Sequence, residues 1–265
     1  MIKTLLGDYP VTKHFKETAR GFEFATGFKL PQQAFKRVVR DLEFDFAELA
    51  LVTYLLAKAY DKPYRLLPAV LTARFQHPYL VCLSKNKYKA KDLNGKRIGQ
   101  RSYSVTTAAW IRGMLMEEGV DLSKIRWVTF EEPHVAEFRD PPNVERAAAG
   151  KEMMAMLLAG ELDAAIAGEV PKDERIVPIF GDPAPWRKKH GAIQINHMVV
   201  VRREMPKSLS DEIYDLLKQS RKAAGNPEMN PFGVEENRRN LEVAIDYVHR
   251  QGMIPRRFTV DELFE

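Results

Sequence analysis

The stretch NGKRIGQRSYSVTTAAWIRG, residues 94–113, combines a short strand pattern, a polar turn and the start of a helical pattern. Hydroxyl side chains crowd the turn and the helix entrance behind Arg101: Ser102, Tyr103, Ser104, Thr106 and Thr107. A helix entrance presents unpaired backbone N–H groups and the positive end of the helix dipole, and hydroxyl groups add donors without adding charge. The stretch therefore predicts a site for a carboxylate or a phosphate. An ordinary N-cap at Ser104 explains the same pattern without any ligand.

The rest of the chain repeats this alternation of apolar runs and helical periodicity. The pattern predicts an α/β architecture with mainly parallel sheets. The sequence FDF at 44–46 is predicted to be a short strand followed by a helix from residue 47. An earlier helix is predicted to begin at Pro31. A last strand near 196–203 precedes two helices near 205–225 and 234–251.

Composition excludes several classes of protein. The 265 residues are 45% hydrophobic, enough for one large or two modest domains. Lys and Arg number 41 against 36 Asp and Glu, and the net charge of +5 is spread along the chain. This favours mild attraction for small anions over a nucleic-acid surface. The sequence has no GxxxxGK[ST] or GxGxxG motif for a nucleotide, and no HxH, HExxH or CxxC motif for a metal.

The chain also lacks signals for membrane insertion or export. Its first apolar stretch ends before Asp8 and is too short for a signal-peptide core. No segment approaches the roughly 20 apolar residues of a membrane span. The single cysteine, Cys82, lies in the apolar run YLVCL, which indicates a buried strand residue. We therefore expect a cytoplasmic protein with neither membrane nor nucleic-acid partners.

Two segments share one design. FQHPYLVCLS at 75–84 and QINHMVVVRR at 194–203 each place a histidine, His77 or His197, just before a run of strand-forming residues. If these strands are the two crossings between lobes, both imidazoles lie near one interlobe cleft. A hydrogen-bonded structural histidine fits either position as well.

Further candidates follow the predicted strands, because ligands of open α/β sheets gather beyond the carboxyl ends of strands. The polar residues at these positions are Asp8, Tyr9, Glu48, Arg74 and Glu169. The guanidinium fork of Arg74 suits a carboxylate, although a surface arginine in a loop fits the same pattern.

Six segments resemble the 4,5-dihydroxyphthalate decarboxylase family, in the family's order. They are DFAELALVTYLLAKA at 45–59, RFQHPYLVCLSKN at 74–86, DLNGKRIGQRSYSVTTAAWIRGMLMEEGVDLSKIRWVTF at 92–130, MLLAGELDAAIAGEVP at 156–171, NHMVVVRRE at 196–204 and NPFGVEENRRNLEVAIDYVHRQGMIPRRFTVDELF at 230–264. The resemblance runs from about Glu43 to Phe264. This chain departs from the family at GNPEMN, residues 225–230, where members carry a longer insert that bears on the substrate.

The resemblance implies a type 2 periplasmic-binding-protein fold, with two lobes and a ligand cleft between them. We expect residues 1–82 in the first lobe, 83–200 in the second, and 201–265 returning to the first. The implied activity is decarboxylation of a hydroxylated aromatic acid, either 4,5-dihydroxyphthalate to protocatechuate or a close analogue. The implied partner is a small anionic aromatic substrate. The reaction needs no organic cofactor, and whether a metal assists stays open. The protein is also a possible homo-oligomer.

Within that expectation, the segment 101–107, Arg74 and Glu169 bind the substrate and its carboxylates. His77 and His197 exchange protons with the ring and its hydroxyl, because the ordinary imidazole pKa of about 6.5 lies near working pH. Glu48 orients a histidine or acts as the base for the phenol. Two alternatives stay open: a solute-binding protein that hands a small aromatic or anionic ligand to a transporter, and an enzyme of the same fold with another hydroxylated aromatic substrate.

Overall fold

Two β-sheets organise the molecule. The computed structural model describes residues 1–265. The first sheet contains, in spatial order, β2 (Phe22–Phe24), β1 (Ile2–Leu5), β3 (Phe46–Ala50), β11 (Ile195–Arg202) and β4 (Tyr64–Ala73). The second contains β10 (Ile176–Pro178), β5 (Leu80–Leu83), β9 (Ala164–Ile166), β6 (Arg97–Gln100), β7 (Arg126–Thr129) and β8 (Val144–Arg146). The predicted two-lobed α/β fold is confirmed.

Helices cover the faces of both sheets. They are α1 (Pro10–Thr18), α2 (Phe35–Val39), α3 (Leu51–Ala59), α4 (Thr106–Glu117), α5 (Met153–Leu158), α6 (Ala184–His190), α7 (Lys207–Ala223) and α8 (Val234–Arg250). One large apolar core joins α3, α4 and α8 to both sheets, and two smaller cores lie on the opposite faces. None of the helices is both long and apolar enough to span a bilayer.

The sheets are mixed rather than mainly parallel. The neighbours of β1 and of β6 run parallel to them. In contrast, β11 is antiparallel to β3 and β4, and β5 is antiparallel to β9 and β10. The antiparallel pairs all involve the strands next to the two crossings, where the chain enters or leaves a sheet.

The chain crosses between sheets before β5 and again before β11. The predicted boundaries after residues 82 and 200 fall inside those strands, because each strand makes its whole hydrogen-bond ladder in one sheet and the crossing occupies the irregular segment ahead of it. The crossings contact each other through Gln76, whose N–H donates to Gln194 Oε1 at 2.6 Å and whose Nε2 donates to Asn196 Oδ1 at 2.9 Å. Polar groups therefore tie the two segments together.

One strand differs from its prediction in a way that matters for the site. The predicted strand at 44–46 instead spans Phe46–Ala50, and the helix begins at Leu51 rather than at residue 47. All five strand residues are buried. A strand covered on both faces lacks apolar–polar alternation, so its sequence continues smoothly into a helical pattern. Glu48 consequently lies inside a strand.

The C-terminal helices contact both lobes: α7 packs against α1 and β4 of the first, and α8 packs against α4 of the second. Gly113 of α4 allows α8 to pack closely, since a Cβ atom there would lie 1.8 Å from the Tyr247 ring. Residues 231–233, just after the shortened segment, run along β4, where the Gly233 N–H donates to Pro68 O at 2.8 Å. No residue of 225–233 lines the interlobe cavity described next.

Candidate active site

A cavity of about 840 Å³ opens between the two sheets. Both lobes contribute polar side chains to it, including Tyr9, Arg74 and His197 from the first lobe and its crossings, and Arg101, Thr107 and Glu169 from the second. A volume of this size holds a small organic molecule. The cavity is therefore the candidate active site.

The most distinctive feature of the cavity is a buried carboxylate–imidazole pair. Glu48 Oε1 lies 2.6 Å from His197 Nδ1, and the Glu48 side chain is fully buried. The contact exists because β3 and β11 are neighbours, with His197 opposite Ala50 in the register. His197 lines the cavity, and its Nε2 makes no hydrogen bond within the protein and is not enclosed. That nitrogen can exchange a proton with a ligand.

Two further donors hold the Glu48 carboxylate. The Tyr9 hydroxyl donates to Oε1 at 2.7 Å, and the Gly7 N–H donates to Oε2 at 2.9 Å. Burial, and then the charge of Glu48, raise the pKa of the Tyr9 phenol well above its usual range, so it stays protonated. A Cβ at residue 7 would lie 2.8 Å from Oε2 and 2.6 Å from the Tyr9 ring. Glycine thus permits this approach.

Two helix N-termini meet at the cavity. Thr106 Oγ1 accepts a hydrogen bond from Val52 N–H at 3.1 Å, which links the first turn of α4 to that of α3. The N-cap of α4 is Val105, whose side chain makes no capping bond. The prediction of Ser104 as N-cap is therefore wrong. The first backbone N–H groups of α4 make no hydrogen bond within the protein and favour an anion in the cavity.

Two guanidinium groups line the cavity with donors to spare. Arg74 donates to Gly168 O at 3.0 Å and lies over the Tyr79 ring at 3.9 Å. Arg101 Nη1 lies 3.8 Å from Glu131 Oε2, which is too far for a hydrogen bond. Each arginine has more N–H groups than these contacts use, so each can bind a carboxylate.

The structure turns three of the predicted binding residues away from the cavity: Ser102, Tyr103 and Ser104. Arg112, a fully buried guanidinium, holds Tyr103 there, since it donates to Tyr103 O at 2.7 Å and lies 3.7 Å from the centre of its ring. The hydroxyl groups of the two serines lie 3.4 Å from each other. These residues shape the turn that carries Arg101, whereas Thr106 and Thr107 do line the cavity.

His77 also lies outside the cavity. It starts the 3-10 turn His77–Tyr79 ahead of β5, and its ring contacts Phe180 and Trp186 at centroid distances of 5.9 and 6.4 Å. Its Nδ1 is buried without a partner. Burial lowers the pKa of His77, against a smaller opposing effect of Asp182. The two predicted histidines therefore do not share the cleft.

A different histidine does share it. His134 lines the cavity, and its Nδ1 lies 2.9 Å from Thr53 Oγ1. Burial, followed by the positive charges of Arg101 and Lys36, lowers the pKa of His134 to about 3. Sequence reasoning gave it no role, since it lies among polar and proline residues at 131–150 without a strand pattern nearby.

The described residues contain no group of three or more His, Cys, Asp or Glu side chains placed to hold a metal ion. Cys82 is buried and free, as the apolar run predicted.

The chain is similar in sequence to two proteins named 4,5-dihydroxyphthalate decarboxylase. The protein from Comamonas testosteroni is 27% identical over an alignment 284 positions long, gaps included, which covers 88% of this chain and 86% of that protein. The protein from Pseudomonas putida is 32% identical over 151 residues, which cover 53% of this chain and 58% of that protein. No protein-family model matches the chain.

Solved structures with the same architecture include sulphonate-binding proteins. The aliphatic sulphonate binding protein SsuA from Escherichia coli gives a TM-score of 0.58 at 12% identity, covering 100% of this chain and 91% of that one. The alkanesulfonate-binding protein SsuA from Xanthomonas axonopodis pv. citri, bound to MOPS, gives 0.56 at 13% identity, covering 99% and 96%. At these identities the likeness concerns the fold alone. The resemblance found in the sequence is thus confirmed: the chain is similar to the 4,5-dihydroxyphthalate decarboxylases in sequence and has the two-lobed fold of the SsuA-type binding proteins.

Proposed function

We propose that this protein decarboxylates a hydroxylated aromatic carboxylic acid, with 4,5-dihydroxyphthalate as the first candidate substrate and protocatechuate as its product. The names of the two sequence relatives support this choice of reaction. The observation that carries it is the buried Glu48–His197 pair, which presents an imidazole nitrogen to a cavity rich in anion-binding groups.

The chemistry needs a place for the electrons of the broken C–C bond. In 4,5-dihydroxyphthalate each carboxylate has a hydroxyl group para to it. Loss of the hydroxyl proton pushes an electron pair into the ring, and the carboxylate-bearing carbon takes up a proton. The bond to the carboxylate then breaks, CO₂ leaves, and the electron pair of the broken bond restores the aromatic ring as a phenolate, which takes back the proton removed from the hydroxyl group. The net change replaces one carboxylate by one proton.

His197 is the proposed proton-transfer group. Its Nε2 exchanges a proton with the ring carbon or the hydroxyl, and the Glu48 carboxylate at Nδ1 stabilises the imidazolium form. Tyr9 and Gly7 keep the carboxylate oriented during this exchange. A buried, preorganised carboxylate needs no solvent rearrangement when the imidazole gains its charge.

Arg74, Arg101 and the N-terminus of α4 are the proposed anion-binding groups. The departing carboxylate loses its charge on becoming CO₂, so a strong ion pair to it stabilises the substrate more than the transition state. We therefore assign the guanidinium groups mainly to the carboxylate that stays on the ring. Such anchoring positions the ring against His197 without slowing the reaction.

Capture of an anion for transport is the rival function, since the fold neighbours are binding proteins. That function also needs the arginines and the helix N-terminus. It has no evident use for a proton-exchanging imidazole whose other nitrogen is held by a buried carboxylate. The carboxylate–imidazole pair therefore favours proton transfer over simple capture.

The test is incubation of the purified protein with 4,5-dihydroxyphthalate and a panel of hydroxylated benzoates and phthalates, with and without a chelator. Mass spectrometry follows CO₂ and the decarboxylated product. We expect turnover of at least one compound, and its loss in His197→Gln without loss of binding. The control is His190→Gln, a histidine outside the cavity that also contacts a glutamate, at 3.0 Å. Thermal stabilisation by ligands without product from any compound would support the binding function instead.

A further inference from the structure

The cavity presents a second imidazole whose surroundings differ from those of His197. His134 contacts the Phe35 ring edge-on at a centroid distance of 5.5 Å, and His197 contacts the same ring edge-on at 5.2 Å. One phenylalanine therefore spaces two imidazoles along one wall of the cavity. The proposed reaction uses only His197.

Both the ring and the backbone of His134 are fixed. Thr53 Oγ1, on the first turn of α3, lies within hydrogen-bond distance of His134 Nδ1, at 2.9 Å. Arg40 Nε donates to the His134 carbonyl oxygen at 2.8 Å. Its Nε2 makes no hydrogen bond within the protein, yet it is not among the enclosed unpaired atoms. Since the residue lines the cavity, Nε2 is the atom that a bound molecule meets.

The imidazole of His134 is neutral. Its Nδ1 contacts a hydroxyl group and no carboxylate, whereas His197 contacts Glu48. The nearby charges of Arg101, Lys36 and Arg40 are all positive and oppose protonation. A neutral imidazole carries no charge with which to form an ion pair with a carboxylate, whereas the arginines do, and its Nε2 can hydrogen-bond a hydroxyl group in either tautomer.

We propose that His134 is a specificity-determining residue, whose Nε2 hydrogen-bonds a ring hydroxyl of the substrate so that the cavity prefers hydroxylated aromatic carboxylates over plain ones. This inference rests on the proposed function and assigns the recognition of the hydroxyl to a different imidazole from the one that transfers the proton. It divides the cavity into cationic groups that bind carboxylates and a neutral group that binds a hydroxyl.

Calorimetry with phthalate, 4-hydroxyphthalate and 4,5-dihydroxyphthalate tests the proposal, because it measures binding whether or not turnover occurs. The wild-type protein should bind the dihydroxylated compound about tenfold or more tightly than phthalate, the equivalent of one good hydrogen bond. His134→Leu should lose this preference and bind phthalate within about threefold of wild type. His190→Gln, outside the cavity, is the matched control and should keep the preference.

Thr53→Val is the second variant in case His134→Leu does not fold. It removes the group that fixes the imidazole, so it should weaken binding of the hydroxylated compounds and leave phthalate unchanged. A merely structural defect would weaken all three ligands equally, and that result would overturn the proposal. If the wild-type protein converts a substrate but His134→Leu still prefers the hydroxylated ligands, this inference is overturned and the proposed function stands. A wild-type protein that neither binds nor converts any of the compounds would overturn both.

Discussion

His77 and His197 occupy similar positions in the sequence and very different ones in the molecule. Each lies near the start of the strand that follows a crossing between lobes. His197 lies inside β11 and meets the Glu48 carboxylate at 2.6 Å. His77 lies three residues before β5, in a 3-10 turn, and contacts aromatic rings with its Nδ1 unpaired. The difference shows that a histidine acquires chemistry from its partner rather than from its place before a strand.

The partner also explains the cost of each arrangement. A buried imidazole without a hydrogen bond destabilises the folded state, and burial alone opposes its protonation. A buried carboxylate compensates for both effects by accepting a hydrogen bond and stabilising the positive charge. The His197 region therefore combines polar burial with the proposed catalytic use, and the His77 region has the burial only.

The strongest test of the difference between His77 and His197 is to remove each imidazole in turn. His197→Gln should lower kcat about 10³-fold, within the range for loss of a general acid–base group, with Kd within about threefold. His77→Gln should change kcat less than about fivefold, because the side chain does not reach the cavity. Steady-state kinetics and calorimetry on 4,5-dihydroxyphthalate measure both. Equal losses in the two variants would mean that the comparison is wrong.

Removing only the charge of the partner is the next test. Glu48→Gln keeps the shape and a hydrogen bond but cannot stabilise imidazolium, and its amide favours the wrong ring tautomer. We expect kcat to fall about 10²-fold at similar binding affinity. Glu152→Gln, which removes a carboxylate from the same cavity without a contact to His197, is the control. A comparable loss there would attribute the effect to the overall charge of the cavity.

The fold was predictable because its signals are local. Strand and helix patterns such as RIGQ at 97–100 and TTAAWIRG at 106–113 repeat along the chain and occur in the family's order. The errors came where burial hides the pattern. At Phe46–Ala50 the central strand has no polar face, so its boundary with α3 was misplaced.

The site was only partly predictable because its contacts are long-range. Glu48 meets Tyr9 across 39 residues and His197 across 149. Chemical type selected Arg74, Arg101 and His197 correctly as cavity residues. Nothing in the local pattern separated Tyr103, which contacts the buried Arg112, from Thr106, which reaches the cavity. His134 was missed because its segment carries no periodicity.

The outer end of the hydrogen-bond chain should have a smaller effect. Tyr9→Phe removes one of the donors to Glu48 Oε1, while Gly7 still holds Oε2 and His197 still contacts Oε1. The loss of one hydrogen bond to a charged group corresponds to about a tenfold fall in kcat. Since the raised pKa of Tyr9 keeps the phenol protonated, the ratio of wild-type to variant kcat should stay constant from about pH 6 to 9. A ratio that changes with pH would indicate that Tyr9 itself titrates, and Tyr60→Phe at an exposed position is the control.

The smallest expected effect concerns the stability of the His77 region. Burial lowers the pKa of His77 in the folded protein, so the unfolded chain takes up a proton more readily near the ordinary value of 6.5. The contribution of His77 to stability is therefore fully present above that pH and is lost as the pH falls below it. His77→Leu, of similar volume, removes the unpaired Nδ1 and the titration together. Urea denaturation should show His77→Leu to be at least as stable as wild type at about pH 8, where only the unpaired Nδ1 matters, and should show a further gain of the order of 1 kcal/mol by about pH 5.5. A difference that does not change with pH would mean that the buried imidazole finds a partner when protonated, and the contrast with His197 would then be one of position only.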